Sequence, residues 1–344
     1  MSKKKQLLLT FDFELFLGDK SGTVENCMLK PTEEIIKVLS KYKLSSIFFV
    51  DTLYLFRLKQ ISKIHEKALF DYNKIIYLLR KIAETGGYVF HHLHPHWLDA
   101  KYLEDINQWD VSDKTKFALS NLSKNEIEMV FNQSNEIIAE IYSGIQKPKT
   151  FGCRAGGLYA QPFLNYKSQM DKYNISLDFS VLRNAKSDGN KSGYKFDYSQ
   201  YPKDRIYHFS EEVNVENSEG KFIEFTLDQC QIDGLYKILN GLYYRKNHKK
   251  DSWKRWGDGT SSGNIVKSTE RSNKLKSEES FSIELLNNVK SSLYSNYFKK
   301  DDFLHLISHP KLCSPMNVFA LDKFLSKVNS KYAIESDVFR IGSI

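Results

Sequence analysis

"QLLLTFDFEL", residues 6–15, decides how this chain is read. Leu7, Leu8 and Leu9, with Phe11 and Phe13 beyond them, read as a buried strand that runs into a loop. The exit of that strand carries two acids, Asp12 and Glu14. A helix signal comes next in the chain: "TEEIIKVLSKYKL" (32–44) spaces Ile35, Val38, Leu39 and Tyr42 on one helical face. "SSIFFVDT" (45–52) is again a buried strand. "FDYNKIIYLLRKIAET" (70–85) is a helix stopped by Gly86-Gly87, and "YVFHH" (88–92) returns to strand.

The alternation continues. Ser123 and Glu126 form a capping box ahead of the helical "IEMVFNQSNEIIAEIY" (127–142). "TFGCRAGG" (150–157) is a strand ending in a glycine-rich turn, and "ISLDFSV" (175–181) is another strand. After a polar, irregular middle, "SIELLNNVKSSLYSNYF" (282–298) reads as helix, "FLHLISH" (303–309) as strand and "VFALDKFLSKVNSKY" (318–332) as helix. Repeated strand–helix alternation predicts an α/β fold with a parallel sheet and helical crossovers, open or closed into a barrel. The expected organisation is a single domain over 1–344, with a long insertion over 183–280.

Composition bounds the function. The 344 residues are 41% hydrophobic and rich in Tyr and Phe, enough for a large core. Cys27, Cys153, Cys230 and Cys313 lie far apart without CxxC spacing, which fits a reducing cytoplasm. Asp12 and Glu14 break the apolar stretch near the N-terminus, so it reads neither as a signal peptide nor as a membrane span. The formal net charge is +8, and much of the excess lies in a basic loop at 245–276. That loop reads as a solvated surface or as a docking surface for an anionic diphosphate or a membrane. Zinc-finger, RRM and phosphate-loop signatures are missing, so nucleic acid is not expected.

In such folds the chemistry sits where the strands end. Asp12 and Glu14, two apart on an extended backbone, point to the same side. "FHHLHPHWL" (90–98) packs His91, His92, His94 and His96 into six positions of a chain with nine histidines. That density predicts a metal site, with His91 facing the other way. His92 pairs with His96 if the segment turns as a helix, and with His94 if it stays extended. Trp97 is either a core anchor or a platform for a sugar ring. Arg154 and His309 each end a strand, and Asp178 lies near the end of another. Two imidazoles and one carboxylate leave a metal open for water and substrate, the pattern of a catalytic site. A free carboxylate, an aligning arginine and a histidine acid complete the parts for hydrolysis of an amide or ester. His305, four residues before His309, is expected deeper in the fold.

These residues resemble the NodB-homology polysaccharide deacetylases, carbohydrate esterase family 4. "LLLTFDFE" resembles the family's first motif, "SSIFFV" its apolar strand and "HLHPHW" its histidine motif. "FGCRAGG" is similar to the arginine motif, "ISLDFSV" to the following aspartate strand and "LISHPK" to the final histidine motif. The resemblance covers most of the chain, and "HLHPHW" with "FGCRAGG" is closest to the subgroup associated with surface-polysaccharide genes.

The resemblance implies a distorted (β/α) barrel of about seven parallel strands. It implies Asp12 as general base supported by Arg154, and His309 as general acid. Glu14, His92 and a second histidine would bind zinc or another divalent transition metal; the family's spacing favours His96, with His94 the alternative. Trp97, Gly156, Tyr159 and Asp178 are the implied substrate-binding residues. The implied activity is removal of an N-acyl group, usually acetyl, from an amino sugar. The expected substrate is nucleotide- or lipid-linked and cytoplasmic, with peripheral membrane contact through 245–276. Two departures, Phe13 after Asp12 and Ala155-Gly156-Gly157 after Arg154, motivate a rival: a non-catalytic carbohydrate-binding relative. A deformylase or amidase on a non-polymeric substrate would use the same site.

Overall fold

The structure, a computed structural model, describes residues 4–189, 194–261 and 276–343. Its main sheet is built from β1 (Lys4–Phe13), β2 (Ile47–Asp51), β3 (Tyr88–Leu93), β4 (Phe151–Ala155), β5 (Ile175–Asp178), β6 (Ile206–Phe209), β7 (Phe222–Phe225), β8 (Phe303–Ser308) and the short β9 (Ala333–Glu335). The order across the sheet is β6-β7-β5-β4-β3-β2-β1-β8, with β9 beside the start of β1. From β7 to β8 the seven strands are parallel; β6 adds an antiparallel edge.

Helices pack around it: α1 (Lys30–Lys41), α2 (Thr52–Ile61), α3 (Glu66–Glu84), α4 (Lys124–Ile141), α5 (Lys167–Lys172), α6 (Gly234–Asn247), α7 (Asn288–Lys300), α8 (Pro315–Asn329) and α9 (Val338–Ile341). The predicted capping box of Ser123 and Glu126 starts α4. Gly86, at φ +90°, follows the end of α3.

β1 is central, and Leu7, Leu8, Leu9, Phe11 and Phe13 are all buried, as a parallel strand covered on both faces requires. Arg154 on β4 shows that the sheet curls. Four strands in a flat sheet would hold β4 roughly 14 Å from β1. Yet Arg154 donates from Nη1 to Asp12 and from Nη2 to Thr10 Oγ1 at 2.9 Å, with its guanidinium 4.2 Å from the Phe49 ring on the intervening β2. The far edges also meet. His305 Nδ1 on β8 donates to Thr226 O, just beyond β7, at 3.0 Å, and Arg205 Nη1 donates to Phe303 O at 3.0 Å. The result is the expected distorted α/β barrel, closed along one seam by side chains.

Two expectations change. The helix predicted over 282–298 begins only at Asn288, because Asn287 Oδ1 accepts from Val289 N and Lys290 N and caps it there. Residues 282–286 instead run beside β8, with Ser282 bridged to Ile307. The stretch 183–280, expected to be an insertion, supplies β6 and β7 to the main sheet. Its apolar strand Phe222–Phe225 is only four residues long and was hidden among polar neighbours.

The start of the basic loop is docked. Asp258 accepts from Thr23 N at 2.8 Å and Asn26 Nδ2 at 2.9 Å, and Trp256 N donates to Cys313 O at 2.9 Å. Residues 262–275 of that loop lie outside the described residues.

Candidate active site

The ladder register assembles the site. Asp12 faces Phe49 across β1–β2, Asp51 faces His92 across β2–β3, and His92 faces Arg154 across β3–β4. Asp12 and Glu14 leave β1 on one side, as their spacing predicts.

Glu14 Oε2 lies 2.8 Å from His94 Nε2 and 3.4 Å from His92 Nε2, and the two imidazole nitrogens are 3.0 Å apart. Ligand atoms around one tetrahedral zinc-like ion at about 2.1 Å lie roughly 3.4 Å from each other. The three atoms therefore match a common cation, and Glu14, His92 and His94 could hold a metal. No well-formed hydrogen bond satisfies Glu14 Oε2, which an ion would do. His92 Nδ1 donates to Arg154 O at 2.8 Å, which leaves Nε2 as the nitrogen that faces the group. Burial opposes charge on His92, but Asp12 and Glu14 outweigh it and push its pKa up to about 9. Burial holds His94 down at about 4.

The structure groups His94, not the favoured His96, with Glu14 and His92. β3 stays extended through Leu93, so His92 and His94 share a face, and Pro95 then opens a tight turn. That turn lays His96 flat on Phe117, with ring centres 5.4 Å apart at 15°. His91 faces away, with Nδ1 2.7 Å from Ser134 Oγ.

The other expected residues divide into two sets. Asp12 Oδ1 accepts from Arg154, while Oδ2 lies 3.5 Å from His309 Nε2 and 3.9 Å from His92 Nε2. Burial would raise the Asp12 carboxyl, but Arg154, His92 and His309 hold it below its ordinary value. His309 is 28% exposed, against 6% for Asp12 and Glu14, so it is the member of the group that meets solvent. His305 is buried, as expected, and lies 3.1 Å from Thr10 Oγ1.

The implied substrate-binding residues are placed differently. Trp97 is fully buried, donates from Nε1 to Asp51, and packs on Tyr54 and Trp109, so it is a core anchor. Gly156 backs the site: a Cβ there would lie 2.6 Å from His94 Nδ1. Tyr159 is buried among Phe117, Tyr194 and Phe196. Asp178 is buried beside Glu224, its partner across the β5–β7 ladder.

Sequence reasoning missed two residues. Lys311, two positions after His309, is buried and donates from Nζ to Glu14 Oε1 at 2.8 Å and to Leu15 O at 2.7 Å. It holds one Glu14 oxygen while the other faces the histidines. Its signal stood in "LISHPK", where a lysine follows the proline. Glu284 accepts from His309 Nδ1 at 3.0 Å and from Ser308 Oγ at 2.5 Å. It carried no signal, because its segment reads as helix.

No protein family and no curated protein matches the chain in sequence. In structure, the chain is similar to a Mycobacterium smegmatis protein assigned as a polysaccharide deacetylase: TM-score 0.47, 11% identity, 99% of this chain and 90% of that one. It is also similar to a polysaccharide deacetylase from Bacillus cereus, at TM-score 0.37 and 14% identity, over 96% of this chain and 90% of that one. A family 4 acetyl xylan esterase from Clostridium thermocellum, in complex with a cobalt ion, aligns at TM-score 0.29 and 17% identity, over 55% of this chain and 62% of that one.

The Asp178–Glu224 pair yields a stability prediction. Burial, first of all, raises both carboxyls, which are neighbours across the ladder. The folded state then keeps a proton that the unfolded chain releases, so stability is full at acid pH and falls as pH rises through the folded pKa. Glu224→Gln should flatten that fall, read as the urea midpoint across a series from acid to alkaline pH. An unchanged slope would show that the pair shares no proton.

Proposed function

We propose that the protein is a metal-dependent hydrolase that removes an N-acyl group, acetyl first of all, from an amino sugar of a glycan or glycan precursor. The observation that carries this reading is the convergence of Asp12 and His309 on the open side of the Glu14, His92 and His94 group. A zinc ion held by those three residues would supply an acidified water and a polarised acyl carbonyl. Arg154 occupies Asp12 Oδ1, which leaves Oδ2 to take the proton of the attacking water. His309 would protonate the departing amine, so that amide and water become carboxylic acid and free amino sugar. Burial disfavours the His309 cation, but the Glu284 hydrogen bond and Asp12 hold its pKa above the ordinary value. Acid and base thus coexist in their working forms near neutral pH.

The test is release of acetate or formate from a panel of nucleotide-linked and lipid-linked N-acyl amino sugars. Release should stop with chelator and return with zinc. Asp12→Asn should lower turnover by about a thousandfold with metal content near wild type. Wild-type rates from that variant would remove Asp12 from the chemistry. Metal without turnover on every substrate would favour a binding function.

His94→Ala should weaken metal affinity roughly a hundredfold or more in a competition titration, and His96→Ala by less than about twofold. The reverse order would return the ligand role to His96.

Glu284→Gln should lower kcat/KM about tenfold at alkaline pH. With the carboxylate gone, His309 loses its proton at lower pH, so the alkaline limb of the pH profile should move down. A limb that stays in place would separate Glu284 from proton delivery.

A further inference from the structure

Helix α6 is built inside out. Its inner face is polar and aromatic: Asn240 Oδ1 accepts from Asn287 Nδ2 at 2.8 Å, and the Tyr243 hydroxyl accepts from Asn288 Nδ2 at 2.7 Å. Its outer face is aliphatic. Leu235, Ile238, Leu239 and Leu242 are 70%, 61%, 49% and 57% exposed, and their spacing puts them in one stripe along the helix. A contiguous apolar stripe on a surface helix marks a contact that the described residues do not make.

The charge around the stripe identifies the contact. Continued by the same spacing, the stripe runs into Arg245 and Lys246, both exposed, with exposed Tyr244 beside them. Lys249, Lys250, Lys254 and Arg255 come after, also exposed. Residues 233–255 hold seven Lys and Arg against two acids, Asp233 and Asp251. Asp233 is engaged as the cap of α6, and Asp251 pairs with Lys254 at 2.8 Å. Aliphatic side chains grading into cations and a tyrosine match the boundary between acyl chains and anionic headgroups. A polyphosphate backbone would use the cations and leave the leucines idle.

We infer that the outer face of α6, with its collar of cations, docks the protein on an anionic lipid bilayer. The candidate site is linked to this helix through its inner face. The segment that anchors α6 through Asn287 and Asn288 also carries Glu284, which holds His309, and Leu285, which is exposed. The docking is independent of the chemistry assigned to Asp12.

The experiment is co-sedimentation of the full chain with phosphatidylcholine vesicles, alone or with about 30% phosphatidylglycerol, together with sizing of the free protein. The wild type should pellet with the anionic vesicles and stay in solution with the neutral ones. Ile238→Glu should reduce the bound fraction about tenfold, and so should Arg245→Glu with Lys246→Glu. These side chains are solvent-exposed, so an unchanged thermal melt is expected and verifies the fold. Failure of the wild type to bind anionic vesicles would overturn the proposal, as would equal binding by Ile238→Glu. A wild-type dimer that Ile238→Glu splits into monomers would assign the face to a second copy instead. Since the vesicles contain no glycan, docking is read separately from the chemistry: a protein that docks but releases no acyl group from the substrate panel would refute the proposed chemistry and leave the surface standing.

Discussion

The buried Arg154 guanidinium is the contact on which the rest of the structure depends. It joins β4 to β1 across two strands, and it reaches because the sheet is curled. A buried cation of this kind is tolerated only when each of its faces is matched. Asp12 takes its charge, Thr10 and the Phe179 carbonyl take further donors, and the Phe49 ring lies against its plane. The strand curvature and the ionised state of Asp12 are thus two readings of one interaction. His92 is tied to the same residue through the Arg154 carbonyl, so the backbone that carries the guanidinium also orients an imidazole.

A second charge balance sits one residue pair away. Glu14 is buried, and Lys311 neutralises it from the far side of the site. The carboxylate is left with one oxygen engaged and one directed at two imidazoles. Gly156 completes the arrangement by having no side chain where His94 needs room. Each feature alone is an ordinary structural device. Together they hold three donor atoms within about 3.4 Å of one another.

The sequence carried the local signals well. The runs at 6–15, 45–52, 88–92, 150–155 and 303–309 are strands because their β-branched, leucine and aromatic residues are buried on both faces, and burial shows directly as composition. Asp12, Glu14, His92, Arg154 and His309 were legible for a related reason, since strand ends in a parallel sheet converge on one rim. Where the backbone turns within a few residues, the sequence was ambiguous. His94 and His96 differ only in whether Pro95 comes after or inside the extended segment. Trp97 and Asp178 were read as substrate-binding residues and are instead buried, because an aromatic ring or an acid is equally at home in a packed interior and at a barrel's mouth. Glu284 was invisible: helical spacing over 282–298 is genuine, and only the Asn287 cap decides that the first residues lie along β8. β6 and β7 were hidden by brevity, at four residues each.

The seam between the β6–β7 edge and β8 gives the barrel a direction of weakness. Elsewhere neighbouring strands share backbone ladders that yield only if several bonds break together. Along the seam, His305 and Arg205 stitch the edges through individual side-chain contacts. Transient breathing should concentrate there, as it does along the join of a rolled sheet of paper. His309 follows directly on β8, so the residue that meets the outside is carried by a strand that borders this join.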